Sequence, residues 1–312
     1  MEKKVKNILF KWELEGNGIM NYDSNEQKRM FEYGDLLYTA PKYNNVNYAK
    51  KNFYNDNGKL KYKLKMSSNC VRYMLFNETK RSAVELKDRN IKLKTISSQV
   101  SLICGYLFTY KGDTINRSSA LCFIDPEQTN NSVSNIETYS SSAPKTTSDD
   151  KSDNTFFKKE NIGIIEYYTH GNINIERLQF TPVEETLGRK ALNSDDFNDF
   201  KTLLNKNIGN FNSELSNFIK NDAFNGINEY GFILSDENIS KLVKFCLSKI
   251  YGLYDYKTTA FVKTKSLKIK LVYDPIVDTI NNESDWIEIN SVTDLNFINE
   301  ISYKQFYTKN DE

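Results

Sequence analysis

The sequence predicts an α+β fold, a sheet with helices on one face, and three observations predict it. Ile8 to Leu14 and Lys59 to Met66 each alternate side by side, the period-two signature of a half-buried strand. Ser235 precedes Ile239, Leu242, Val243, Cys246, Leu247 and Ile250, which share one face of a helix. The strands and helices do not follow one another in the regular βαβ alternation of a parallel sheet.

The first strand ends at Gly16 and Gly18, and the Asn/Tyr-rich stretch from Asn21 to Tyr54 has no clean period, so it reads as an irregular excursion or short hairpins. Asp56-Asn57-Gly58 is a tight-turn signal. The strand after it puts Lys59, Lys61, Lys63 and Lys65 on one face and Leu60, Tyr62, Leu64 and Met66 on the other. Ser67, Ser68 and Asn69 are candidate caps for a helix with Val71, Met74 and Leu75 on its apolar side. Ile96, Val100, Ile103 and Leu107 fit a helical face, but Gly105 and the aromatics beyond it point to a strand, and the boundary stays open. A polar loop, 111–119, precedes the short apolar run Ala120 to Ile124.

Pro126 to Asn154 is dominated by Ser, Thr, Asn and Asp and buries too little to fold alone, so it reads as an extended arm or a mobile insertion. Ile162 to Tyr168, a turn at His170-Gly171, and Ile173 to Phe180 read as a hairpin. Phe197, Phe200, Leu203 and Leu204 mark a helical stripe, the Ser235 helix follows with Asp236 and Glu237 in its first turn, and Thr258 to Tyr273 returns to strand.

Composition excludes several functions. The four cysteines, Cys70, Cys104, Cys122 and Cys246, form no CxxC pair, so neither a zinc knuckle nor a disulfide framework is expected, and they read as reduced core thiols of a cytoplasmic protein. No apolar run approaches eighteen residues and the first residues turn polar too soon for a signal peptide, so no membrane association is expected. No GxxxxGK[ST], GxGxxG after a strand, HExxH or GxSxG occurs. The single histidine, His170, reads as a surface turn residue rather than a general base. Asp149-Asp150 lies in low-complexity sequence and Asp195-Asp196 where a helix start favours acids. No catalytic residue, metal ligand or cofactor is therefore assigned.

Net charge is only +1, but it is unevenly spread: Lys50 to Lys94 holds 13 Lys or Arg against four acids. The lysines between Lys59 and Lys65 stand about 6.6 to 6.8 Å apart, close to the phosphate spacing of an extended single strand. A helix start at Ser67-Ser68-Asn69 offers backbone N–H donors to a phosphate, and Arg72 one turn in can fork onto it. Such contacts hold backbone rather than read bases. The competing reading is an edge strand protected by lysines and followed by an ordinary helix start. The 20 Tyr and 19 Phe supply stacking surface or core alike.

Ser67 to Phe76, SSNCVRYMLF, resembles the helix start of the RAMP-type backbone subunits of CRISPR Cascade complexes, the Cas-seven family, closest to its type I-F variant branch. Gly105-Tyr106, Arg117-Ser118-Ser119, Thr155 to Lys158, His170 to Phe180 and Gly231 to Glu237 follow in the family's order. The resemblance implies a single RAMP-type domain over 1–312 with an RRM-like (ferredoxin-like) palm from 5–18, 59–125, 162–185 and 230–275. It further implies a web or finger insertion at 19–58, a thumb-like arm at 126–161 and a helical insertion at 192–228. It adds Arg117, Ser118, Phe156, Phe157, Lys158 and His170 to the RNA-binding candidates, with Phe156 and Phe157 as wedges against bases, although two core phenylalanines would read the same way. The implied protein is non-catalytic. Copies stack head to tail along a CRISPR RNA with other Cascade subunits, and the guide pairs with target DNA. The alternatives are a RAMP-type endoribonuclease with His170 as general base and a self-assembling structural protein.

Overall fold

The computed structural model describes residues 3–17, 22–23, 30–33, 36–39, 46–49, 51–76, 88–110, 113–131, 134–142, 154–184, 190–221, 227–257 and 260–310. Among these the α+β class holds: helices lie on one face of a curved antiparallel sheet. Its strands run in the order Leu121–Phe123, Ile165–Asn174, Asn7–Asn17, Ala260–Val272 and Tyr254–Lys257. Asn7–Asn17 is central because it is hydrogen-bonded along both edges and buries Ile8, Phe10, Trp12 and Leu14 completely. The Trp12 indole N–H donates to Thr264 Oγ1 at 2.9 Å, so the largest core side chain leaves no polar group stranded.

The face carrying Phe10 and Trp12 is covered by Ser68–Leu75, Gln99–Cys104 and Asp236–Tyr251, whose apolar residues join one core. The long helix starts where its sequence signals place it: Ser235 Oγ accepts from Asn238 N–H, with Asp236 and Glu237 in the first turn. The open boundary after Ile96 resolves into two helices, Arg89–Ile96 and Gln99–Cys104, and a strand from Tyr106, with Gly105 at φ 69° making the switch. Asp196 belongs to this packing. Its buried carboxylate pairs with the fully buried Lys92 ammonium and accepts from Arg89 Nε at 2.7 Å, tying Arg89–Ile96 to Phe197–Ile208.

The expected turn at His170-Gly171 is absent. Ile165–Asn174 is one continuous strand, followed by the short helix Ile175–Gln179 and the strand Phe180–Pro182. Gly171 marks a close approach instead: a Cβ there would stand 2.2 Å from Cys122 O, 2.5 Å from Phe123 Cβ and 2.6 Å from Phe10 Cζ. Gly171→Ala is expected to lower stability by about 1–3 kcal/mol through overpacking, read as a shifted urea midpoint.

Phe180–Pro182, Asn228–Ile233, Ser216–Lys220 and Tyr307–Lys309 form a second sheet over Phe180, Phe218 and Tyr307. The described residues of the polar arm include two strands. Ser134–Ser142 pairs with Asn154–Ile162 throughout its length, and Lys158 and Lys159 register with Val46 and Asn47 of a parallel neighbour. Asp149-Asp150 lies outside the described residues. In the Asn/Tyr-rich region short strands occur at Tyr22–Asp23, Met30–Tyr33, Leu36–Thr39 and Val46–Ala49. No described helix is long and apolar enough to cross a membrane.

Candidate nucleic-acid interface

Lys59–Leu64 pairs with Lys51–Asp56 as a two-stranded hairpin apart from the main sheet. Asn57 at φ 52° and Gly58 at φ 81° form the turn, the positive pair that a tight two-residue hairpin requires. The alternation predicted for this strand is present where it can be read, with Leu64 and Met66 buried and Lys61 and Lys63 exposed; Tyr62, however, is exposed rather than turned inward. The side chain of Lys59 lies outside the described residues.

Each described lysine of the row has an acid beside it. Lys61 pairs with Asp56, whose carboxylate raises the ammonium pKa above its ordinary value. Lys63 Nζ lies 3.6 Å from Glu127 and 5.9 Å from the centre of the Tyr54 ring, and Lys65 Nζ lies 3.9 Å from Asp125. The Asp125 carboxylate also reaches the helix start, accepting from Ser68 N–H at 2.7 Å, while Ser67 Oγ caps Cys70 N–H at 3.2 Å. The phosphate cradle read from Ser67, Ser68 and Asn69 therefore already holds an anion of the chain itself, leaving Asn69 as its exposed member.

Arg72 is half-buried at the sheet edge. Its Nη2 donates to Leu121 O at 3.0 Å, Nη1 to Asn69 Oδ1 at 3.4 Å, and the guanidinium lies 5.2 Å from the centre of the Phe123 ring. Its Nε is buried with no hydrogen-bond partner. Arg177, which sequence reasoning did not single out, approaches the same edge: its Nη1 donates to Ser119 O at 2.9 Å and its side chain is exposed. The signal for it was Asn174, three residues earlier, whose side chain accepts from Arg177 N–H and fixes the short helix start. Arg72 and Arg177 thus bracket the edge segment 119–123.

Arg117 is a correction to the predicted contacts. Only 6% exposed, it donates to Leu102 O at 3.3 Å, Phe180 O at 3.4 Å, Arg177 O at 3.0 Å and Leu178 O at 3.2 Å, and to Thr181 Oγ1. A guanidinium committed to internal acceptors has nothing to offer a phosphate, and burial pulls its pKa below the ordinary arginine value. Its neighbour Ser118 is exposed.

His170 sits in mid-strand opposite Lys11, with its ring 5.9 Å from that of Tyr168 and its Nδ1 buried without a hydrogen-bond partner. Lys11 is held by Glu283 at 2.7 Å and lies 4.6 Å from the centre of the Trp286 ring. Phe156, Phe157 and Lys158 occupy the arm strand opposite Ser140, Tyr139 and Thr138; their side chains lie outside the described residues. The structure therefore gathers Lys61, Lys63, Lys65, Ser67, Ser68, Asn69 and Arg72 along one path from hairpin to sheet edge, and sets His170 and the arm residues on other strands. Among the described residues no group of three or more metal-ligating side chains converges.

A family model described as type I-Fv CRISPR-associated protein Cas7fv-like matches residues 4–298. No curated protein matches the chain. Among solved structures, a chain described as a CRISPR RNA-guided surveillance complex is similar at 10% identity and a TM-score of 0.35, covering 84% of this chain and 68% of its own.

Proposed function

Because this chain belongs to the Cas7fv-like family of type I-Fv CRISPR-associated proteins, we propose that it is a non-catalytic backbone subunit that binds a CRISPR RNA. Copies stack along the guide with other Cascade subunits in the cytoplasm, and the guide reads target DNA by base pairing. The family match over residues 4–298 carries this reading.

The fold supports it. Taking Asn7–Asn17, Leu121–Phe123, Ile165–Asn174 and Ala260–Val272 as strands one to four, the sheet order is 4-1-3-2, with helices between the first and second and between the third and fourth. With the additional strands set aside, we read this as the βαββαβ order of an RRM-like palm. The hairpin arm Ser134–Ser142 and Asn154–Ile162 leaves between the second and third strands, where a thumb would be inserted. On this reading Phe156, Phe157 and Lys158 belong to the thumb, and Ser118 and His170 flank the RNA path.

The positioning contacts are Lys61, Lys63, Lys65, Asn69 and Arg72, joined by Arg177. Because Asp56, Asp125 and Glu127 screen the lysines in the free chain, RNA phosphates take over cations that are already paired. A double substitution, Lys61→Ala with Lys63→Ala, is expected to weaken all single-stranded RNA sequences alike. It should also reduce the magnitude of the slope of log affinity against log salt by about 1.4, two contacts at about 0.7 each. Filter binding over a salt series measures it, and a loss restricted to one RNA sequence would contradict backbone gripping.

A further inference from the structure

The face of the main sheet opposite Phe10 and Trp12 carries, at its Tyr254–Lys257 edge, a group of rings that the RNA path above does not use. Tyr254 and Tyr256 lie on the edge strand and are 65% and 71% exposed. Their ring centres are 6.3 Å apart, and Phe261 on the neighbouring strand adds a third ring 6.5 Å from Tyr254. The rings are tilted by 39° and 31° to one another at ordinary aromatic contact distance, and the exposure of Tyr254 and Tyr256 leaves ring faces on which a flat group can lie.

The charges around the rings narrow the ligand. Lys263, across the ladder from Tyr254, is paired with Glu15 at 3.2 Å, and Lys265 with Glu166 at 2.7 Å. Beside these pairs the exposed Tyr254 and Tyr256 rings are the planar apolar surface at this end of the sheet, suited to stacking with a planar group. Protein docking sites have a contiguous apolar core. Here Tyr254 lies across the ladder from Lys263, which is charged and paired with Glu15. The central strands, meanwhile, present Lys11, Glu13 and His170 on this face instead of aromatics.

We infer that Tyr254, Tyr256 and Phe261 form a stacking site for unpaired bases of a single-stranded nucleic acid, separate from the lysine hairpin that holds phosphates. The inference rests on the reading of the chain as an RNA-binding subunit and adds base contacts to it. Stacking is tolerant of sequence because every base has a π face.

The test is equilibrium binding of single-stranded RNA containing 2-aminopurine to the purified chain. Binding should quench the probe. Tyr254→Leu with Tyr256→Leu, which keeps apolar bulk on the strand, should abolish the quench and weaken affinity between about fivefold and a hundredfold, with the salt slope unchanged. Tyr254→Phe with Tyr256→Phe should behave as the parent chain. Parent-like affinity and quench in the Leu variant would remove the stacking site while leaving the RNA-binding reading intact. A Leu variant that keeps RNA affinity but loses self-association in sedimentation would overturn the inference in favour of a protein contact. A parent chain that binds no RNA would remove both.

Discussion

Arg117→Met is expected to destabilise the chain by about 4 kcal/mol. The guanidinium satisfies Leu102 O, Phe180 O, Arg177 O, Leu178 O and Thr181 Oγ1 in the interior, and methionine satisfies none of them. A buried acceptor left without a donor costs about 1–3 kcal/mol, and even partial rescue of the set by relaxation leaves several kcal/mol. Two of those carbonyls, Arg177 O and Leu178 O, end the short helix Ile175–Gln179, where a positive charge is favoured. Arg117→Lys keeps the charge but not the planar fork, so it should recover only part of the loss. Urea unfolding followed by circular dichroism measures both. An Arg117→Met chain with unaltered stability and weakened RNA binding would restore Arg117 to the interface.

Asp196→Ala should cost about 3–5 kcal/mol, because it strips the carboxylate from the Lys92 ammonium, which is wholly buried. Arg89 loses one of its two acids but keeps Asp199 at 2.7 Å and is partly in solvent, so its share of the loss is small. The double variant Lys92→Met with Asp196→Leu removes both charges from the interior and should recover most of the stability. If the double variant is no more stable than Asp196→Ala alone, the cost lies in lost packing rather than in a charge left buried. Additivity measured by the same unfolding experiment decides between the two.

These residues show where sequence reading stopped. The Ser235 helix and the Ile8 strand were legible because period and cap are local, and local propensity agrees with the tertiary fold at both. The Asn57-Gly58 turn was legible for the same reason. Gly171 misled because glycine marks both turns and close backbone approaches, and only the Phe10 and Phe123 side chains opposite it distinguish the two. Arg117 stands in a stretch of Asn, Arg and Ser that reads as solvated loop, and its acceptors come from up to 64 residues away. Asp195-Asp196 lies at a helix start, as a local pattern shows, but the partner that Asp196 pairs with lies 104 residues earlier.

The phosphate cradle followed the same pattern. Ser67 caps its helix as its sequence position predicts. That Asp125 fills the cradle from 57 residues away depends on the edge strand folding back beside the helix, which no local pattern records. The basic strand is therefore legible in the lysine row, whereas the acids that screen it are set beside it only by the fold.

A Cas7fv-like subunit that holds a guide RNA as one of several stacked copies should carry that RNA with it from the cell. The most direct measurement is purification of the chain from cells carrying a CRISPR array, followed by extraction and sizing of whatever nucleic acid comes with it. A ribonucleoprotein holding several copies of the chain on RNA of uniform length is the expected result. A monomer free of nucleic acid and indifferent to added RNA would contradict it.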